Sequence, residues 1–244
     1  MGATEAKLAQ PAPGHFLPGD VVLAAGRIQQ FNSDGTKGWG WPPNFRYFEW
    51  KTVALMPDEQ TVRFVDPFRF SYEVAWPDFL HDGMPYGAPR LFRCRLDDGR
   101  RINRSLTIRN ARFVKGRSQA EARTALGLNG LHIRLENCTI ANDVNCWPTV
   151  AKRVELVGCR LGSMEMDKIV ESVLLDGCEV YLGLSSGGAS VLDVRIKDTS
   201  LYGFVRATPR RSWIMDNSHA YDGVMLSKGL TNTPLTLSGT ASGM

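Results

Sequence analysis

The chain has 244 residues, a formal net charge of +4 and 43% hydrophobic content, enough apolar material for a sizeable core and too much for a disordered chain. Residues 1–12 hold no apolar run of signal-peptide type, and no stretch approaches the roughly 18 apolar residues of a membrane-spanning helix. The five cysteines include no Cys-x-x-Cys spacing, so no metal or other cofactor is expected.

In chain order, residues 1–14 read as an arm or linker, punctuated by Pro11, Pro13 and Gly14. Leu17-Pro-Gly-Asp-Val-Val-Leu23 predicts a turn feeding a strand. Residues 50–65 predict a β-hairpin, with apolar Val53, Leu55, Val62 and Phe64 on either side of Pro57-Asp58-Glu59. Between them, Gly38-Trp-Gly-Trp-Pro-Pro43 and then Phe45, Tyr47, Phe48 and Trp50 concentrate rings that either fill a small core or line a sugar platform. Phe68, Phe70, Tyr72, Trp76, Phe79 and Tyr86 come next. Residues 15–100 are therefore expected to form a β-rich cap or attachment subdomain that shields strand edges at the open end of a repetitive region, residues 101–244.

From 101 to 244 one short phrase is written seven times: apolar, any, apolar, any, Asn/Gly/Asp, small. Its second apolar residues are Ile108, Leu135, Leu156, Leu175, Ile196, Met215 and Leu237, at intervals of 27, 21, 19, 21, 19 and 22. Apolar residues two apart mark a strand with one buried face. The Asn, Gly or Asp after them tolerates the left-handed backbone of a sharp bend. The small residue after the bend (Ala111, Cys138, Cys159, Cys178, Thr199, Ser218, Thr240) predicts an inward ladder. Thiols stacked about 4.8 Å apart and pointing the same way favour packing over disulfides; Cys94 and Cys146 are expected to be ordinary thiols, buried or half-buried. With no helical segment between copies, successive coils must follow one another directly.

In coil length, Asn/Gly bend and small-residue ladder, residues 102–244 resemble the right-handed parallel β-helix of the pectin-lyase-like superfamily, and the Leu17–Leu23 segment resembles its Pro-Gly-Asp entry. The resemblance implies an all-β fold of about seven coils. It leaves activity open, because that superfamily includes lyases, hydrolases, epimerases, autotransporter passengers and phage tailspikes.

One outward column runs Arg109, Glu136, Val157, Asp176, Lys197, Asp216, Ser238. Asp176 and Asp216 stand two coils, about 9.6 Å, apart, near the upper limit for an inverting glycosidase pair. Lys197 between them argues against that role, since a general acid needs a raised pKa and a neighbouring cation lowers it. The column reads better as a surface ion-pair ladder. Arg195-Ile196-Lys197 is similar to a polygalacturonase substrate motif, but that family's Asn-Thr-Asp and Gly-His-Gly are missing and the only Asp-Asp, Asp97-Asp98, precedes the repeats. A basic cluster (Arg100, Arg101, Arg104, Arg109, Arg112, Lys115, Arg117, Arg123) is opposed there only by Glu121. It reads as a solvated rim, and no nucleic-acid partner is expected.

A second column holds Val114, Ala141, Gly162, then Tyr181, Tyr202 and Tyr221. Three tyrosines on successive coils predict an aromatic strip about 10 Å long whose faces take sugar rings while the hydroxyls hydrogen-bond. Ser185, Arg206 and Asp222 lie close in sequence and are expected to contribute polar contacts. Covering the helix side or packing on a neighbouring subunit is the alternative use of these rings. The expected function is a non-catalytic, glycan-binding spike or fibre protein of the phage tailspike or adhesin type that the resemblance implies. It would sit on a virion or phage-like particle, recognise a cell-surface polysaccharide, and contact particle or tail proteins. A polysaccharide lyase or glycoside hydrolase is one alternative, and a structural particle protein is the other. The last copy runs to residue 244 without an amphipathic cap, so a homo-oligomer, trimer favoured, a neighbouring protein, or a C-terminal continuation if the chain is a fragment, is expected to cover that end.

Overall fold

The computed structural model describes residues 2–27, 45–69, 76–81, 84–86, 90–93, 105–115, 124–166, 169–185, 191, 193–207, 212–226 and 236–237. The chain divides into two compact units, Met1–Ile102 and Asn103–Met244.

In the first unit, β1 (Glu5–Lys7), β2 (Val21–Arg27), β3 (Phe45–Leu55) and β4 (Thr61–Phe64) are followed by β5 (Trp76–His81), β6 (Met84–Tyr86) and β7 (Arg90–Arg93). An antiparallel sheet orders them β1-β4-β3-β2-β7, and β5 pairs separately with β6. The expected entry turn is present. Gly19 takes φ 81° and the Leu17 amide donates to Asp20 Oδ2 at 2.9 Å, which settles the buried Asp20 carboxylate as β2 begins. The alternating apolar positions Val22, Ala24, Val53, Val62 and Phe64 meet Phe16 and Phe68 in one core.

Two expectations change. Residues 5–7, expected within an arm, pair with Thr61–Arg63 as β1. Leu55, one of the apolar residues flanking the predicted hairpin turn, does not join Val53 in the core and is 40% exposed, because the β3–β4 register shifts between Val53 and Leu55. Phe48 and Trp50 are buried, so that part of the aromatic segment is core. Gly38–Pro43, Phe70, Tyr72 and Cys94 fall outside the described residues.

The second unit contains β8 (Ser105–Arg109), β9 (Arg112–Phe113), β10 (Thr124–Glu136), β11 (Thr139–Val157), β12 (Arg160–Glu165), β13 (Ile169–Asp176) and β14 (Glu179–Ser185). It continues through β15 (Asp193–Lys197), β16 (Ser200–Leu201), β17 (Phe204–Ala207), β18 (Ser212–Asp216), β19 (His219–Ala220), β20 (Val224–Leu226) and β21 (Thr236–Leu237). Every pairing among them is parallel. The order β8-β10-β11-β13-β15-β18-β21 runs through all seven copies of the phrase, in register at its apolar positions: Ile108, Leu135, Leu156, Leu175, Ile196, Met215 and Leu237 are successive partners. The fold is a parallel β-helix with three ladders of strands per coil.

The bends follow the phrase. Asn110, Asn137, Asp198 and Asn217 take φ of 53°, 51°, 49° and 45°, and Gly158 and Gly177 take 61° and 62°, the region the Asn/Gly/Asp choice anticipates. Behind the bends from Asn137 to Asn217 the small residue turns inward, with Cys138, Cys159, Cys178, Thr199 and Ser218 all buried; Ala111 is half-buried against the same core, and Thr240 lies outside the described residues. The three thiols are free and donate to carbonyls of their own and preceding coils, for example Cys178 Sγ to Leu156 O at 3.2 Å. Thr199 and Ser218 continue the pattern with hydroxyls, Thr199 Oγ1 donating to Lys197 O at 2.7 Å and Ser218 Oγ to Asp216 O at 2.8 Å. Burial pushes the Cys146 thiol up to about 12, which keeps that thiol protonated and unreactive. The interior is a column of fully buried Leu135, Leu156, Leu161, Leu175, Ile196, Leu201 and Trp213, each aliphatic side chain contributing about 1.5–3 kcal/mol relative to exposure.

Candidate functional site

With one face of every strand buried, the outward residues form columns along the coils. On the first ladder Arg109, Glu136, Val157, Asp176, Lys197 and Asp216 are successive partners. Glu136 is held between the Arg109 and Arg134 guanidinium groups, whose hydrogen bonds keep its carboxyl below the usual range. Arg134 also reaches Glu155 at 2.7 Å, and Glu155 is closed off by Arg153.

Lys197 lies between Asp176 and Asp216 in register, but its Nζ does not bridge them. It sits 3.2 Å from Asp198 and 3.5 Å from Asp176, and these two carboxylates raise its pKa, Asp198 first. Asp216 instead faces Arg195 at 3.8 Å. The bend residue Asp198 competes successfully for the ammonium because it is the next residue in the chain. Each candidate carboxylate thus stands beside a cation, whereas a glycosidase acid needs an apolar or anionic setting. Beside this column lies a shallow groove of about 520 Å³, bounded by Ser172, Leu174, Asp176, Asp193, Arg195 and Lys197.

On the second ladder the outward column ends at a corner, where Tyr181, Tyr202 and Tyr221 follow buried Val180, Leu201 and Ala220. Their backbone amides continue the coil-to-coil bonding, Tyr202 N to Val180 O at 2.8 Å and Tyr221 N to Leu201 O at 2.9 Å. The rings are face to face: Tyr181 and Tyr202 are 5.3 Å apart with planes 8° from parallel, and Tyr202 and Tyr221 are 5.0 Å apart at 5°. They are 39%, 40% and 54% exposed. The Tyr181 hydroxyl donates to Glu179 Oε2 at 2.5 Å and its pKa is raised by that bond.

This arrangement alters one expectation. The tyrosines cover one another's inner faces, so along its length the strip presents ring edges and hydroxyls, and the stack leaves uncovered only the outer faces of Tyr181 and Tyr221. The corner itself depends on glycine. A Cβ on Gly203 would lie 2.2 Å from the Leu182 carbonyl carbon, so the Tyr202 turn closes only without a side chain there.

No protein-family model matches the chain, and no curated protein does. Among solved structures it is similar to the tailspike protein gp49 from Pseudomonas phage LKA1, at 12% identity and a TM-score of 0.36, over 91% of this chain and 38% of that one. The chain thus spans well under half the length of that tailspike.

Past the corner, the third ladder carries Phe204 and Arg206, both exposed, with Val205 buried between them. Arg206 pairs with Ser185 in register; it belongs to this neighbouring sheet and not to the tyrosine strip. Asp222 is exposed at the turn after Tyr221. Leu182 and Phe204, 58% and 45% exposed, extend the tyrosine edge and were not anticipated. Their signal in the sequence was the glycine that recurs beside them, in Leu182-Gly183, Gly203-Phe204 and Asp222-Gly223.

Proposed function

We propose that the Asn103–Met244 unit is a non-catalytic, glycan-binding β-helix of the spike or fibre type, recognising a cell-surface polysaccharide. The observation that carries this reading is the exposed edge formed by Tyr181, Leu182, Tyr202, Phe204 and Tyr221, beside a first ladder whose outward residues are closed into ion pairs. Large apolar side chains left exposed on neighbouring strands favour a recognition site, and aromatic edges carrying hydroxyls suit saccharides, which combine apolar C–H faces with dense hydroxyl groups. Lys197 and Arg195 beside the aspartates support the non-catalytic part of the reading.

The setting on a phage-like particle follows the resemblance of the repeats to phage tailspikes, with a homotrimer as the assembly proposed for it. The test is binding to a panel of immobilised bacterial surface polysaccharides, with reducing-end and unsaturated-uronate assays run in parallel. Binding without turnover is expected. Replacing the three tyrosines by Phe keeps the stack and removes the hydroxyl row, and should weaken binding several-fold. Turnover lost in Asp176→Asn or Asp216→Asn would establish the hydrolase or lyase alternative instead, and a protein that binds no envelope glycan at all would leave only the structural one.

A further inference from the structure

Phe204 differs from the tyrosines beside it in what surrounds its ring. Its ladder partner on the preceding coil is Gly183, and on the following coil Gly223 lies one residue before the Val205–Val224 pair, its carbonyl accepting from Val205 N at 3.2 Å. No side chain projects from either neighbouring position, and a Cβ built on Gly223 would have nothing within 4 Å. Among the described residues Phe204 makes no ring contact with the tyrosines. A ring 45% exposed and flanked by glycines offers open faces, the property that Tyr202, stacked on both sides, lacks.

Two residues on, and on the same side of β17, stands Arg206. Its side chain is exposed and has no ion pair or hydrogen bond among the described residues. The reason is visible in the register: Glu165 pairs with Ser185 and Ser185 with Arg206, so the carboxylate is two coils, about 9.6 Å, from Arg206. It is already engaged by Asn145 Nδ2 at 3.0 Å. On the first ladder, by contrast, Arg109, Arg134 and Arg153 all have carboxylate partners.

We infer that Phe204 and Arg206 form the centre of the glycan site and that it selects an anionic saccharide. One pyranose packs its C–H face on Phe204 in the notch above Gly223. The carboxylate or phosphodiester of that unit or the next meets the planar guanidinium fork of Arg206, and Asp222 at the adjoining corner accepts sugar hydroxyls. This rests on the glycan-binding reading and adds its chemical class.

The test uses the full chain on immobilised uronate-bearing, sialate-bearing, phosphodiester-linked and neutral polysaccharides, each charged polymer paired with its carboxyl-reduced or dephosphorylated form. The charged form of at least one polymer should bind at least tenfold more tightly than its neutralised form. That preference should disappear in Arg206→Gln. Phe204→Leu, which keeps apolar bulk without the ring, should lose about tenfold on charged and neutral forms alike, and Arg195→Gln on the first ladder should stay within twofold of the parent. Which charged polymer binds separates the carboxylate from the phosphodiester source. Equal binding of charged and neutralised forms, or an unchanged Arg206→Gln, overturns the inference while leaving glycan binding intact; no binding to any polymer on the panel overturns both.

Discussion

Tyr202 lies face to face with Tyr221, ring centroids 5.0 Å apart and planes 5° from parallel, and turns its other face to Tyr181 at 5.3 Å. The middle ring therefore takes part in two stacked pairs and each outer ring in one. Aromatic pairs contribute about 0.5–1.5 kcal/mol beyond area burial, so Tyr202→Ala should cost about 1–3 kcal/mol and Tyr181→Ala about half of that. Denaturant unfolding followed by circular dichroism measures both. Equal costs for the two variants would show that the stack contributes nothing beyond area.

Gly203 and Gly177 separate two reasons for glycine in this fold. At Gly203 a Cβ would meet the Leu182 carbonyl carbon at 2.2 Å and its oxygen at 2.3 Å, backbone atoms that cannot step aside. Gly203→Ala should destabilise the second unit by roughly 2 kcal/mol or more, as overpacking does, and open the Tyr202 corner. At Gly177 the nearest atom to a Cβ is 4.0 Å away and only the φ of 62° is restrictive. Asn occupies the same bend position in other coils, so Gly177→Asn should be tolerated within about 1 kcal/mol, in keeping with the modest cost of Asn in this region. Thermal melts of the two variants provide the comparison.

The contrast between those glycines also marks how far the sequence alone could be read. The repeat places Gly177 at a left-handed bend and Cys178 inward behind it, because a period and a turn residue together determine direction. It locates Lys197 between Asp176 and Asp216 for the same reason. What it does not carry is the reach of a side chain: the ammonium selects Asp198 at 3.2 Å over Asp216, and adjacency in the chain decided that. Ring orientation is equally hidden. Three tyrosines at one coil position announce a strip, but whether they stack face to face or splay apart depends on how the Gly203 corner closes. Gly203 itself reads as any turn glycine until the Leu182 carbonyl is found against it. In the first unit, Leu55 alternates correctly on paper and faces outward because the register slips after Val53.

Glu49 and Lys51 form a buried ion pair at 2.7 Å, with side chains only 5% and 4% exposed. Lys51 Nζ also donates to Pro67 O at 2.6 Å and lies 5.3 Å from the centre of the Phe68 ring, and both Glu49 oxygens accept from Arg69 N. The pair ties residues 67–69 to β3. Removing one partner leaves an uncompensated buried charge, so Lys51→Met should cost about 3–5 kcal/mol. Glu49→Gln combined with Lys51→Met should recover a large part of that loss. Hydrogen–deuterium exchange at residues 61–69 reports the effect locally; protection unchanged in Lys51→Met would show that the pair does not hold this segment.

The charged column on the first ladder sets the acid response of the second unit. Hydrogen bonds from Arg109 and Arg134 hold Glu136 below its free value, and Asn217 and Lys197 do the same for Asp198. A carboxylate whose folded pKa is depressed contributes stability above its unfolded value, about 4. That stability is lost as pH falls through the folded value. Lys197 has the opposite sign: its raised pKa gives a contribution present below the free lysine value of about 10.4 and lost as pH rises through the folded one. These groups together predict a plateau between about pH 5 and pH 9, with losses on both sides. Glu136→Gln should lower the melting temperature on the plateau and flatten the acid limb, so that its curve converges with that of the parent once the pH has fallen through the lowered folded value of Glu136. Parallel curves from plateau to acid would mean that Glu136 is not stabilised by its two arginines in solution.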